Sequence, residues 1–238
     1  MRKTTTAATL AAMVLIAGYA PAATVCGDVN DNGTVTSADA LLVLQEAVQL
    51  PVALICELGV PRTGQTTGYG PGTDGVVRAG VARSFIDNGD GTITDNVTGL
   101  TWEKKDDSGG IHDKDNTYTW SSGTGKMDGT IQGGFLVPIN DGAGFAGYKD
   151  WRVPNIMELQ TLVNFGAVSP AAYPAFHAAC VPGCKVTRCS CTPSDYYWSA
   201  STYPDGSTRA WYVDAGYGYV EGNDKTSGNF VRAVRGGL

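Results

Sequence analysis

The chain has 238 residues, of which 42% are hydrophobic and 17% are charged, a composition that excludes intrinsic disorder and a fibrous repeat. The formal net charge of −6 argues against nucleic acid and anionic membrane surfaces as partners, because both attract clustered Lys and Arg. Glycine is over-represented, with 32 residues, which predicts many turns rather than long helices. The two histidines, His112 and His177, leave little material for a His-based triad or a His-rich metal site.

Residues 1–23 have the pattern of a secretory signal peptide. Arg2 and Lys3 form a basic start, an apolar stretch follows, and Ala20 and Ala22 fit a small-residue cleavage site. The apolar run is shorter than the ~20 residues that a membrane-spanning helix needs. Cleavage would leave 15 basic and 23 acidic residues, a net charge of −8. We therefore expect a secreted or cell-surface protein with no transmembrane span in its mature chain.

Six cysteines would remain after cleavage, an even number that favours disulfides in an exported protein. They are Cys26, Cys56, Cys180, Cys184, Cys189 and Cys191. Their spacing suggests that Cys26 pairs with Cys56, and that the other four form a separate set whose pairing the sequence does not determine. A four-thiolate zinc site is the alternative for this set, although its spacing departs from the paired C-x2-C pattern of structural zinc.

Residues 28–39 match the spacing of an EF-hand calcium loop. Such a loop needs oxygen ligands at fixed positions and a glycine at position 6, because Ca²⁺ takes six or more oxygens and the glycine permits the turn. Gly33 occupies position 6. The expected Ca²⁺ ligands are Asp28, Asn30, Asn32, Thr34 and Asp39.

The calcium loop resembles one repeat of a type I dockerin, because aspartate rather than glutamate occupies its last position. That family binds Ca²⁺ and docks onto cohesin domains through two such repeats. Residues 49–62 contain no second loop, so the resemblance implies calcium binding and leaves cohesin docking open. We expect a small calcium-loop and helix unit at residues 24–57, followed by a linker or entry segment at residues 58–84.

Residues 85–238 have the pattern of an α+β domain of short antiparallel strands with one or two helices. The turn-forming residues 87–91 predict a hairpin. Asn155, followed three residues later by Glu158, predicts the capped start of a helix. Aromatic or β-branched runs predict three further strands, at residues 197–201, 210–214 and 230–234.

Five ordered blocks of the sequence resemble the Lcl C-terminal domain family, named after a bacterial collagen-like adhesin. The blocks are residues 60–66, 85–102, 151–155 with Glu158 and Leu159, 197–199 and 231–237. The family is similar to C-type-lectin-like and formylglycine-generating-enzyme-like folds, in which long loops carry ligands. The resemblance implies an exported bacterial binding module that recognises carbohydrate or glycosaminoglycan. The chain contains no collagen Gly-X-Y repeat, so trimerisation by that route is not implied.

Four residues of the C-terminal region are candidates for ligand contact: Tyr217, Tyr219, Asn223 and Lys225. They lie in or near a Gly-rich turn, and aromatic faces stack on sugars while amides and charged groups orient hydroxyls. Arg209, Arg232 and Arg235 could join Lys225 in a basic patch, but the acidic balance of the chain favours a neutral glycan or an extracellular protein as the partner.

Catalysis is the less favoured function, and we assign no catalytic residue. The acidic residues Glu103, Glu158 and Glu221 could in principle supply a glycosidase pair, but only their abundance favours them. A protein–protein module, either dockerin-type or a diversified lectin-like display protein with a variable surface at residues 196–229, is the main alternative to carbohydrate recognition.

Overall fold

The computed structural model describes residues 60–236. The expected signal peptide, the calcium loop at residues 28–39, and Cys26 and Cys56 lie outside these described residues, so they remain predictions. The described residues have a mixed architecture of short helices and antiparallel sheets, as the α+β prediction requires. Among residues 60–236, no helix has the length and apolar character needed to cross a bilayer.

The described residues form nine short strands. They are β1 (Phe85–Asp87), β2 (Thr92–Asp95), β3 (Thr101–Glu103), β4 (Tyr118–Thr119), β5 (Tyr196–Thr202), β6 (Arg209–Asp214), β7 (Val220–Asp224), β8 (Gly228–Asn229) and β9 (Val234–Arg235). The helices are α1 (Asp74–Val77), α2 (Val137–Asn140) and α3 (Ile156–Gln160), with a π-helical turn at Gln132–Leu136 and a 3-10 turn at Pro174–Phe176.

The first sheet has the strand order β1-β2-β3-β9 and is antiparallel throughout. The predicted hairpin is confirmed, because the turn between β1 and β2 is closed by the backbone bond from the Asn88 N–H to the Thr92 carbonyl at 3.0 Å. Ile93 pairs with Trp102, and Trp102 pairs in turn with Val234 of β9. All three side chains are buried, so the two ends of the domain share one core.

The second sheet has the order β5-β6-β7. The runs at residues 197–201 and 210–214 are strands as predicted, within β5 and β6. Strand β7 was not predicted, because Val220 is the only residue of Val220–Asp224 with a strongly apolar side chain. Strand β7 forms because its backbone pairs with the edge of β6, and this pairing does not depend on the pattern of its side chains.

The predicted strand at residues 230–234 is only partly formed. This segment changes partners along its length, because β8 pairs with β4, Phe230 bridges to Tyr197, and β9 pairs with β3. Val231 and Ala233, between these contacts, are buried. An aromatic and β-branched composition therefore reflects burial here, rather than one continuous ladder.

Helix α3 begins with the predicted capping box. The Asn155 side chain accepts a hydrogen bond from the Glu158 N–H at 2.9 Å, and the Glu158 carboxylate accepts one from the Asn155 N–H at 2.8 Å. Leu159 of α3 packs with Tyr197 and Val213 of the second sheet. The cap thus fixes a short helix against the sheet that carries the C-terminal aromatic residues.

Candidate functional site

A fully buried carboxylate, that of Glu103 at the end of β3, joins three parts of the chain. Its Oε1 accepts hydrogen bonds from Lys105 Nζ at 2.9 Å and from His112 Nδ1 at 2.7 Å. Its Oε2 accepts one from the Ala233 N–H at 2.8 Å. A buried charge is tolerated only when paired and hydrogen-bonded, so Glu103 is a structural group rather than an accessible catalytic acid.

The three donors govern the ionisation of Glu103. Burial acts to raise its pKa, but the charge of Lys105, the hydrogen bond and charge of His112, and the Ala233 N–H together hold the pKa below its usual value. Burial lowers the pKa of Lys105, and the attraction of Glu103 only partly opposes this. Both pKa values are lowered, which favours the charged form of Glu103 but the neutral form of Lys105. The carboxylate is stabilised by three donors, whereas the ammonium is buried and also lies near the positive charge of Arg232.

Two of the four cations considered for a basic patch, Lys225 and Arg232, are buried. Lys225 is only 1% exposed, and its Nζ donates to the Gly125 carbonyl at 2.8 Å and to Thr202 Oγ1 at 3.0 Å. This ammonium also lies 3.9 Å from the centroid of the Trp120 ring, and burial lowers the pKa of Lys225. Arg232 is equally buried. Lys225 therefore binds the protein itself, which corrects its placement among the ligand-contact residues.

The other two cations are engaged with acidic residues or carbonyl groups. Arg235 Nε donates to Asp150 at 2.8 Å, and its guanidinium stacks on the Tyr148 ring. Arg209 binds the Gly222 carbonyl and lies 3.9 Å from Asp205. These four cations do not make a free basic patch.

Tyr217 and Tyr219 are the exposed pair that the sequence suggested. Their side chains are 58% and 66% exposed, and their rings stack with centroids 5.8 Å apart and planes 28° from parallel. Gly218 between them has a φ of +84°, and a Cβ there would lie 2.6 Å from Val163 Cγ1, so only glycine fits. Phe165, half exposed, packs beside Gly218. We call Phe165, Tyr217 and Tyr219 the aromatic surface.

Asn223 is separated from the aromatic surface. It lies on β7, opposite Ala210 of β6, and its side-chain amide donates to Asn229 Oδ1 at 3.3 Å. Its Oδ1 accepts the Asp224 N–H at 2.8 Å. The Asn223 side chain is therefore already hydrogen-bonded within the protein, whereas the two tyrosines present free faces.

A polar cleft of about 240 Å³ adjoins the aromatic surface. Its lining includes Lys114, Asp115, Ser169, Pro170, His177 and Ser194. The Ser169 N–H donates to the Gly216 carbonyl at 2.9 Å, so one residue of the cleft wall is hydrogen-bonded to the residue that precedes Tyr217. Sequence reasoning missed the cleft, because its residues come from separate segments with no common spacing.

A second cavity, of about 30 Å³, lies inside the core beside Leu159, Tyr197 and Arg232. A space of this volume has room for a water molecule or two. It is too small for a sugar or a cofactor.

Three carboxylates, those of Asp107, Asp113 and Asp115, converge at the rim of the cleft, with one oxygen of each within 4.8 Å of the others. Lys114 Nζ lies 2.8 Å from Asp115 and 3.7 Å from Asp107. The Asp113 carboxylate accepts the N–H groups of Gly109 and Asp115. Such an oxygen set could suit a hard cation, but its charge is already balanced in part by the lysine.

The four cysteines of the C-terminal set form two disulfides, Cys180–Cys191 and Cys184–Cys189, a pairing that the sequence left open. The zinc alternative would need these four thiols to be free. Cys184 accepts a backbone hydrogen bond from Asp107, and the Cys191 N–H donates to the Lys105 carbonyl at 2.9 Å. The disulfides thus close this loop on itself, and the two backbone hydrogen bonds tie it to the segment that follows Glu103.

Of the other acidic candidates for catalysis, Glu158 is fully engaged. Its carboxylate receives two hydrogen bonds of 2.7 Å from the Arg152 guanidinium, in addition to its capping role. Burial acts to raise the pKa of Glu158, but the Arg152 and Asn155 bonds lower it overall. Glu221 is exposed on β7, where it lies 3.3 Å from the Tyr212 hydroxyl.

A family model described as the Lcl C-terminal domain matches residues 91–235, which is more than half of the chain. The protein therefore belongs to the Lcl C-terminal domain family, as its ordered sequence blocks predicted. No curated protein matches the chain.

We predict that Glu103→Gln lowers the free energy of unfolding at pH 7 by about 3–5 kcal/mol, because it leaves Lys105 buried without its counter-charge. The folded-state pKa of Glu103 is lowered, so its contribution is complete above the usual glutamate value of 4.5 and is lost as the pH falls through the lowered value. The difference in the free energy of unfolding between wild type and variant should therefore become smaller in acid. Urea unfolding from pH 7 to pH 3 measures it.

Glu221→Gln is the matched control for this substitution, because it removes the same charge from an exposed position and should change stability by no more than about 0.5 kcal/mol. A Glu103→Gln variant as stable as wild type at pH 7 would show that the buried carboxylate does not hold the three segments together.

Proposed function

We propose that this protein is a secreted or cell-surface binding module with a lectin-like domain, and that it recognises carbohydrate rather than catalysing a reaction. The observation that carries the proposal is the stacked, exposed pair of Tyr217 and Tyr219. Large aromatic side chains left in solvent beside one another are characteristic of a binding surface. Membership of a family named after an adhesin supports the same conclusion.

The chemistry of the aromatic surface suits a sugar. A tyrosine ring offers an apolar face to the C–H groups of a sugar and a hydroxyl to its polar edge. The backbone of the turn is held by hydrogen bonds from the Gly218 N–H to the Asp214 carbonyl at 2.7 Å and from the Asp214 N–H to the Tyr219 carbonyl at 2.8 Å. The rings are thus presented from a fixed turn, which reduces the entropy lost on binding.

The charge of the protein favours a neutral glycan over a sulfated one. The mature chain is expected to carry a net charge of −8. Lys225 and Arg232 are buried, and Arg235 is paired with Asp150. These cations are therefore not free to meet a polyanion, and the net negative charge of the protein makes its approach unfavourable.

The test is a glycan array probed with oxidised protein spanning residues 24–238, followed by calorimetric titration of the glycans that bind. Tyr217→Ala and Tyr219→Ala should each lower affinity by about tenfold, because each removes one stacking face. Tyr69→Ala is the matched control, since Tyr69 is 83% exposed and is not part of the aromatic surface. Its affinity should equal that of wild type.

Three outcomes would contradict the proposal or its preferred ligand. Glycan binding that survives both tyrosine substitutions would place the site elsewhere. A blank array from folded protein would favour the protein–protein alternative, which capture of a cohesin domain or of a host extracellular protein would then support. Tight, salt-sensitive heparin binding would overturn the preference for a neutral glycan.

We also propose that residues 28–39 bind one Ca²⁺ that stabilises the N-terminal unit, on the basis of the ligand spacing alone. Calcium should raise the melting temperature of wild-type protein, and Asp28→Ala should abolish that shift, because it removes the first ligand. Asp31→Ala is the matched control, since Asp31 occupies a position of the loop that supplies no ligand. An unchanged calcium shift in Asp28→Ala would disprove the assignment.

A further inference from the structure

We propose that the polar cleft beside the aromatic surface is a second subsite, which binds one neutral sugar unit of the same glycan. This inference rests on the proposed function, because it extends the site that Tyr217 and Tyr219 begin. The cleft adds hydrogen-bonding residues for a second sugar unit, which the aromatic surface alone does not provide.

The dimensions of the cleft set the size of its ligand. Its volume is about 240 Å³, somewhat below the roughly 300–1,000 Å³ of pockets that enclose drug-sized molecules. A cleft of this size suits a single sugar ring, whereas a nucleotide cofactor would exceed it. Pro170 and Pro193 contribute apolar walls, against which the C–H face of a sugar can pack.

The polar groups of the cleft include both donors and acceptors. The His177 Nδ1 accepts a hydrogen bond from the Thr192 N–H at 3.3 Å, which leaves Nε2 of the neutral ring to carry a proton and to donate. The hydroxyls of Ser169 and Ser194 can each donate and accept. A mixed set of this kind matches sugar hydroxyls, which also do both.

Asp115 supplies the strongest acceptor. Its side chain is 68% exposed, and its only cationic contact among the described residues is the Lys114 ammonium at 2.8 Å. Each carboxylate oxygen has two acceptor sites, so a sugar hydroxyl can bind Asp115 without displacing the lysine. Hydrogen bonds to a charged acceptor are the stronger kind, which makes Asp115 the residue expected to matter most.

The electrostatics of the cleft select against anions. Three carboxylates, those of Asp107, Asp113 and Asp115, surround the single ammonium of Lys114 at its rim. The charge of Lys114 is thus directed at the protein's own acids. A sulfate or uronate group would meet excess negative charge, whereas a neutral polyol would not.

A backbone hydrogen bond at Gly216 joins the cleft wall to the turn that carries the aromatic surface. The Gly216 carbonyl accepts the Ser169 N–H at 2.9 Å, and a Cβ added at Gly216 would lie 3.5 Å from the Ser194 carbonyl oxygen. Tyr217 follows immediately, so its α-carbon is about 3.8 Å from that of Gly216. A glycan of two or more units bound on the tyrosines can therefore place its next unit in the cleft.

The experiment uses oxidised protein spanning residues 24–238 and calorimetric titration with neutral cello- and galacto-oligosaccharides, from monosaccharide to tetrasaccharide. Asp115→Asn should lower affinity about tenfold for the lengths that reach the cleft, since it removes the charged acceptor. Ser194→Trp should fill the cleft and abolish the gain in affinity that the added unit brings. Asp205→Asn is the matched control, because Asp205 is exposed and is not among the cleft residues.

The outcomes separate this inference from the proposed function. If Tyr217→Ala lowers affinity while Asp115→Asn and Ser194→Trp leave every oligosaccharide length unchanged, the cleft is not a subsite and the aromatic surface stands. If neither neutral series binds and the glycan array is also blank, both proposals fail. Tighter binding of a heparin tetrasaccharide than of the neutral series would overturn the ligand class. Thermal melting confirms that each variant is folded.

Discussion

The buried carboxylate of Glu103 is the constraint on which the rest of the domain depends. It receives hydrogen bonds from Lys105, from His112 and from the Ala233 N–H, so strand β3, the segment after it and the C-terminal segment must come together for any one of them to be satisfied. Leaving such a group unpaired in the interior would cost several kcal/mol. The early hairpin and the end of the chain are therefore interdependent parts of one fold.

This interior network also positions the proposed ligand surface. His112, held by Glu103, is two residues before Lys114 and three before Asp115 of the polar cleft. The Cys180–Cys191 disulfide secures a neighbouring wall, and the Ser169 bond to Gly216 links the cleft to Tyr217. The interior thus supports the proposed recognition residues, which lie on irregular segments, as binding residues often do.

Features encoded locally were predictable from the sequence, whereas features assembled over long distances were not. The β1–β2 turn and the capping box of Asn155 and Glu158 depend on residues a few positions apart, and both are confirmed. Tyr217 and Tyr219 were suggested as surface residues by their Gly-rich turn, and the structure leaves both exposed. Lys225 was misplaced, because the acceptors that bury its ammonium, on Gly125 and Thr202, are distant in sequence. The sequence did not indicate the polar cleft for the same reason, because its lining residues come from distant segments.

The central claim, that the aromatic surface and the cleft form one carbohydrate site, is tested most directly by mapping where a glycan binds. The measurement is a series of ¹H–¹⁵N spectra of the oxidised mature chain during titration with the neutral oligosaccharide that binds best. The account predicts that the largest shifts occur at the amides of Tyr217, Gly218 and Tyr219, together with Ser169 and Ser194. Saturable shifts confined to other residues, such as those around Ile86 on β1, would contradict it.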